Sequence, residues 1–269
     1  MTYVPPTAIG PESNPELTGE KPQTPPYVTF NSNIKSLTQF YALVSRGSQH
    51  FQDEMENNVR PKVREIYKQI EEVGAPGRED VTSKKIQLVQ QISDLLLGPI
   101  DEFTRGVLTS HIWTPVILVS IVEAYLKDVR IFEAKVNPEI MDASEQSVSY
   151  ADVMEAHSIE ELTEEMQSRW ARRFVEDGGP RRWIDRFTRM GAREYDPDCG
   201  DKMETLWGVR HLVVHSAGVV TRDFVRRHPD YGAKVGEQIK VGSNRLLEWI
   251  RTVGGFVEVT DSYFVNRYL

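Results

Sequence analysis

The most apolar run of the chain is Ile112-Trp113-Thr114-Pro115-Val116-Ile117-Leu118-Val119-Ser120-Ile121-Val122, continuing through Glu123-Ala124-Tyr125-Leu126. A bilayer span needs roughly 20 apolar residues. This run has about half that number, and Thr114, Pro115 and Ser120 interrupt it, so no membrane partner is expected. The run shows no strand-like alternation, and a helix apolar on nearly every face belongs at the centre of a bundle. The block 102–136 is therefore expected to be the buried axis of a mostly α-helical fold.

The flanking sequence divides accordingly. Residues 1–30 hold seven of the fifteen prolines and few large apolar side chains, too little to offset the entropy of ordering. Residues 1–33 are read as a disordered Pro-rich arm. Structure is expected from Ser36, a helix N-cap, with Leu37, Phe40, Tyr41, Val44, Phe51 and Met55 at helical spacing. Pro61 should kink or restart that helix. Val63, Ile66, Tyr67, Ile70 and Val73 continue it to the Gly74-Ala75-Pro76-Gly77 turn. A second helix over 82–97 would bury Ile86, Val89, Ile92, Leu95 and Leu96. Residues 34–100 thus read as a helical hairpin extending a domain at 101–269. Within that domain the sequence predicts a helix entered at Ser158, another over 201–214, a short strand near 238–241 and a final helix from Ser243.

Charge and cysteine content narrow the function. A net charge of −8 and a pI near 5.4 argue against a protein held on nucleic acid by bulk charge, though not against a local basic patch. The single cysteine, Cys199, excludes a disulfide framework and fits a reducing cytoplasm. The first residues lack a charged n-region and an apolar h-region, so no secretory signal is expected. Phosphate loops, dinucleotide fingerprints, Gly-x-Ser-x-Gly elbows and paired-cysteine zinc sites are all absent from the sequence. Cys199 sits among Asp196, Pro197 and Asp198 with no activating partner, so a nucleophilic thiol is not expected.

The informative stretch is Arg210-His211-Leu212-Val213-Val214-His215, followed by Ser216-Ala217-Gly218. At about 100° per residue, Arg210, His211 and His215 fall within an arc of roughly 140°. Leu206, Val209, Leu212 and Val213 gather on the other side, and Val214 alone breaks the polar arc. Arginine's planar, permanently charged fork suits phosphate, and histidine's pKa allows proton transfer near neutrality. Together they can attack a phosphodiester without a metal: one group moves a proton while the other stabilises charge at phosphorus. Two other readings stand beside this one. The three residues could be the solvated face of an ordinary bundle helix, or His211 and His215 could chelate zinc. The zinc reading lacks a third ligand and the glutamate of a His-Glu-x-x-His site. No metal and no cofactor are expected.

The Arg-polar-x-x-x-His pattern of residues 210–215 resembles the motif of the HEPN superfamily, all-helical domains many of which are RNases. The Ser216-Ala217-Gly218-Val219-Val220 exit resembles prokaryotic members. So does Ser120-Ile121-Val122-Glu123-Ala124-Tyr125-Leu126-Lys127-Asp128, which is similar to the helix that packs on the motif helix there. Arg105/His111 and Arg222/His228 share the spacing but not that context. The likeness covers roughly 102–269.

The resemblance implies a homodimer in which Arg210 and His215 of both protomers line one composite site. His215 would act as general acid or base on an RNA 2′-hydroxyl, Arg210 would hold the scissile phosphate, and His211 would support them. Glu123 would approach from the packed helix. The products would carry 2′,3′-cyclic phosphates, and DNA would not be cut. Toxin or anti-phage defence roles follow from the family, with an antitoxin or regulatory protein as a further partner. The competing reading is a non-catalytic HEPN-type dimeric scaffold or an antidote-controlled module.

The segment 166–193 alternates eight arginines with Trp170, Phe174, Trp183 and Phe187. Arg169, Arg172, Arg173, Arg181, Arg182 and Arg186 could form an RNA track, with the rings stacking bases. Alternatively the rings are core and the arginines a solvated face. Trp207 and Trp249 read as core. His50, His111, His157 and His228 have no partner pattern and read as structural.

Overall fold

The computed structural model describes residues 22–72, 79–141 and 148–269. The fold is mostly α-helical. Among the described residues there is no strand, only an isolated antiparallel bridge between Val219 and Gln238. The short strand expected at 238–241 is thus reduced to one bridge.

Among the described residues nine α-helices follow in chain order: α1 (Pro25–Glu54), α2 (Arg60–Glu72), α3 (Glu79–Val136), α4 (Tyr150–Glu155), α5 (Ile159–Glu176), α6 (Pro180–Met190), α7 (Cys199–Ser216), α8 (Arg222–Arg227) and α9 (Ser243–Tyr268). A π turn, Met55–Val59, joins α1 to α2. Pro61 has no N–H and its ring crowds the carbonyl of Asn57, and a widened turn just upstream is the local adjustment that keeps the helical path going.

The axis of the fold is α3, 58 residues long and so about 87 Å. It is one helix where two were expected, at 82–97 and 102–136. It continues without interruption through Gly98 and Pro99, even though an interior proline costs about 3 kcal/mol. Phe30 contacts Tyr125 and Tyr41 contacts His111, so α1 lies antiparallel on α3. Further out, Ile66 of α2 packs with Leu88 and Ile92 of α3 in a separate small cluster. α2 thus packs on the first part of α3, which passes without a break from there into the main core.

Helical structure begins earlier than expected. Ser36 does not cap a helix; its hydroxyl donates to Ser32 O inside α1. Residues 25–33, assigned to the arm, are helical, with Pro25 and Pro26 in the first turn where a missing N–H costs nothing. Phe30 and Leu37 are buried in the main core, each contributing about 1.5–3 kcal/mol. Thr24 is buried too, its hydroxyl donating to the carboxylate of Asp261 on α9 and its N–H reaching the other oxygen at 3.4 Å. Residues 1–21, the Gly74-Ala75-Pro76-Gly77 turn and the side chains of Leu95 and Leu96 lie outside the described residues. Ile86 and Val89, expected on the apolar side, are exposed.

The main core fills the space between α1, α3, α6, α7 and α9: Leu118, Val122 and Leu126 meet Phe187, Leu206, Leu212, Trp249, Phe256 and Phe264. On α3 one stripe stays uncovered. Trp113 is 50% exposed and Ile117 43%, and Ser120 and Ala124 continue the stripe. The expectation of a helix buried on every side is corrected there. Ser158 caps α5 by accepting from Glu161 N, and α9 begins at Ser243 as expected. Among the described residues no helix is long and apolar enough to cross a membrane.

Candidate functional site

Helix α7 presents the two faces that its sequence predicts. Met203, Leu206, Val209, Leu212 and Val213 are buried, whereas His211, Val214 and His215 are exposed and Arg210 lies between. The His211 and His215 rings stand 4.6 Å apart between centroids, one turn from each other. The His211 imidazole is held toward its neutral form, first by partial burial and then by the neighbouring His215 and the Arg210 and Arg227 guanidiniums, against the pull of Asp223. Arg210 buries its Nε without an acceptor.

Glu123 meets this face from α3. Burial raises its pKa, while the Arg210 charge and a hydrogen bond from the Trp207 indole lower it. The carboxylate therefore lies between a donor and a cation that both belong to α7. Trp207 and Arg210 are three residues apart, one turn of the same helix, and so reach the same neighbour. The sequence reading left Trp207 as core. It is half-buried, edge-on to Trp183 at 5.3 Å, with its N–H turned to Glu123. Its i, i+3 spacing from Arg210 was the available signal. Arg227 of α8 was also missed: it acts on His211 and pairs with Asp223 at 2.5 Å. The turn-rich stretch that carries it shows no periodicity to place it.

A tight exit closes α7. Ala217 and Gly218 both adopt left-handed conformations, with φ of 49° and 78°. Gly218 N–H donates to Leu212 O at 2.9 Å, and Gln238 Nε2 donates to Ala217 O at 2.7 Å. A Cβ on Gly218 would lie 2.6 Å from that amide nitrogen. The Ser-Ala-Gly exit is thus a backbone requirement, fixing the end of the helix behind His215.

The remaining expected residues lie elsewhere. The arginine-rich segment forms α5 and α6, and Phe174, Trp183 and Phe187 are core. Trp170 is half-buried under the Arg130 guanidinium, 4.1 Å from its ring centre. Arg169 is held by Asp152 at 2.6 Å and Glu165 at 2.9 Å, and Arg181 pairs with Asp201. Arg182 donates to Asp177 O at 3.1 Å and Arg186 to Phe174 O at 3.3 Å. Arg172 and Arg173 are exposed on α5. These six side chains belong to α5, which packs on α3, and to α6, which packs on α7, not to the face bearing His211 and His215.

Cys199 is buried against Met203, and burial, reinforced by Asp196, pushes its thiol up to about 11. His111 contacts Val241 O at 3.1 Å and His228 lies 3.4 Å from the Thr205 hydroxyl, so both have structural partners. Trp249 is core. Among the described residues no group of three or more His, Cys, Asp or Glu is placed to hold a metal ion. A scan against protein-family models, a search of curated proteins and a search of solved structures each found no match.

Proposed function

We propose that the chain is a metal-independent endoribonuclease of HEPN type, working as a homodimer. The observation that carries the reading is the single face of α7 that joins a half-buried Arg210 to two exposed imidazoles one turn apart. The phosphate of a bound strand would accept from Arg210. His215 would take the 2′-hydroxyl proton as oxygen attacks phosphorus, or return a proton to the leaving 5′-oxygen. His211, favoured in its neutral form, can accept a proton or a hydrogen bond beside it. Glu123 balances Arg210 from behind and directs its fork.

The partner in the dimer is supported by the uncovered apolar stripe of α3. Trp113 and Ile117 lie on the same helix as Glu123, and Val214, 45% exposed, is on the exposed side of α7 with the two histidines. Large exposed apolar side chains grouped beside a polar site mark an interaction surface. A second copy docked there would bring its own α7 to the same cleft.

Two measurements test this reading. Expression of the wild type should arrest growth of the host, and His215→Ala should abolish the arrest. Trp113→Glu with Ile117→Glu should convert a dimer to a monomer in sedimentation and lose RNA cleavage with it. Unchanged growth together with an intact dimer would replace the nuclease with a non-catalytic scaffold.

A further inference from the structure

A second charged cleft lies between α3, α5 and α6, away from the Arg210 face. It encloses about 430 Å³ and is lined by Arg130, Arg173, Arg186, Arg189, Trp170 and Phe174, with Asp177 its single carboxylate. That volume suits a small-molecule site. Glu133 pairs with Arg130 from behind. Arg186 and Arg189 take main-chain carbonyls, not carboxylates, as acceptors.

The arginines are also oriented by groups that leave their charge in place. Arg186 donates to the Phe174 carbonyl at 3.3 Å and lies 5.1 Å over that ring. Arg189 donates through Nε to Asp185 O at 3.2 Å, leaving its terminal nitrogens to the solvent side. Arg186 and Arg189 are three residues apart on α6 and so share one face. Behind them Arg130 is buried and held over Trp170 and Phe174, and its Nε has no acceptor. Clustered cations repel one another unless an anion joins them, and a cleft of one sign concentrates counter-ions. Planar guanidinium forks from two helices match the oxygens of a phosphate group.

We propose that this cleft binds a phosphate group carried on a nucleotide or on a nucleotide chain. The proposal is independent of the ribonuclease reading, because it shares no residue with the Arg210–His215 face.

The test is calorimetric titration of the full chain at low ionic strength with inorganic pyrophosphate, ADP and a short deoxythymidine oligomer, which carries no 2′-hydroxyl to attack. Wild type should bind at least one of the three. Arg189→Gln should weaken that binding about tenfold, and Arg186→Gln with Arg189→Gln further still. Arg60→Gln with Lys68→Gln, which removes equal charge from α2, should leave it unchanged, as should His215→Ala. Tighter binding of ADP than of the oligomer assigns the cleft to a free nucleotide, and the reverse order assigns it to a strand. Failure of all three probes to bind overturns the proposal. So does binding that survives in folded Arg186→Gln/Arg189→Gln protein, or that falls equally in the α2 variant.

Discussion

Gly218→Ala perturbs the turn that closes the candidate catalytic helix, and two separable costs set its size. The first is conformational: at φ of 78° a Cβ-bearing residue loses about 1–2 kcal/mol relative to glycine. The second is steric. The new Cβ would stand 2.6 Å from Gln238 Nε2, so the amide must leave Ala217 O, where it donates at 2.7 Å. Losing that bond costs about 1 kcal/mol. The sum is about 2–3 kcal/mol, a fall in Tm on the order of 4–12 °C for a chain of this size. Urea unfolding and a thermal scan measure it. Gly254→Ala is the control of opposite sign: it sits inside α9 with no atom within 4 Å of an added Cβ, so about 0.5–1 kcal/mol should be gained. Gln238→Ala alone should lose only the hydrogen-bond share, and combined with Gly218→Ala it should cost less than the two singles added. A Gly218→Ala protein within about 0.5 kcal/mol of wild type would refute the account of this turn.

Other expectations concern buried contacts. Gly208→Ala would place a Cβ 2.5 Å from His228 Nε2 and 3.2 Å from Phe224, so overpacking should cost about 1–3 kcal/mol in chemical denaturation despite alanine's better helix propensity. Burial raises the Asp261 pKa above its unfolded value, with the Thr24 hydrogen bonds opposing. Its contribution is therefore largest below the ordinary carboxylate pKa and is lost as pH rises through the raised value. Against Asp261→Asn, wild type should gain stability on acidification in urea titrations at a series of pH values; a constant difference would refute the assignment. Trp207→Phe keeps the ring but removes the donor to Glu123, and should lower kcat of RNA cleavage about tenfold with little change in KM. An unchanged kcat would reduce Trp207 to a packing residue.

The parts legible in the sequence are those set by local periodicity. The faces of α7, the start of α9 at Ser243 and the core roles of Phe174, Trp183 and Phe187 all follow from which side chains recur on one side of a helix. What the sequence did not show depends on contacts between distant residues. Thr24, just ahead of α1, is held by Asp261, 237 positions away. Gly98 and Pro99 signal a break, but α3 continues through them. Trp113 and Ile117 look like core because composition records apolarity and not whether a neighbour covers it. Arg169 and Arg181 look like free cations until α5 and α6 are placed beside Asp152 and Asp201. At the site, the Arg210–His215 spacing is visible in sequence. The Trp207–Glu123–Arg210 contact requires the packing of α3 on α7.

The central claim is that Arg210 and His215 cut RNA. Incubation of purified protein with total cellular RNA in excess EDTA, comparing wild type with Arg210→Ala and His215→Ala, tests it most directly. The account predicts fragments ending in 2′,3′-cyclic phosphate from wild type alone, with DNA left intact. Cleavage that disappears in EDTA, persists in both variants, or never occurs in the wild type would contradict it.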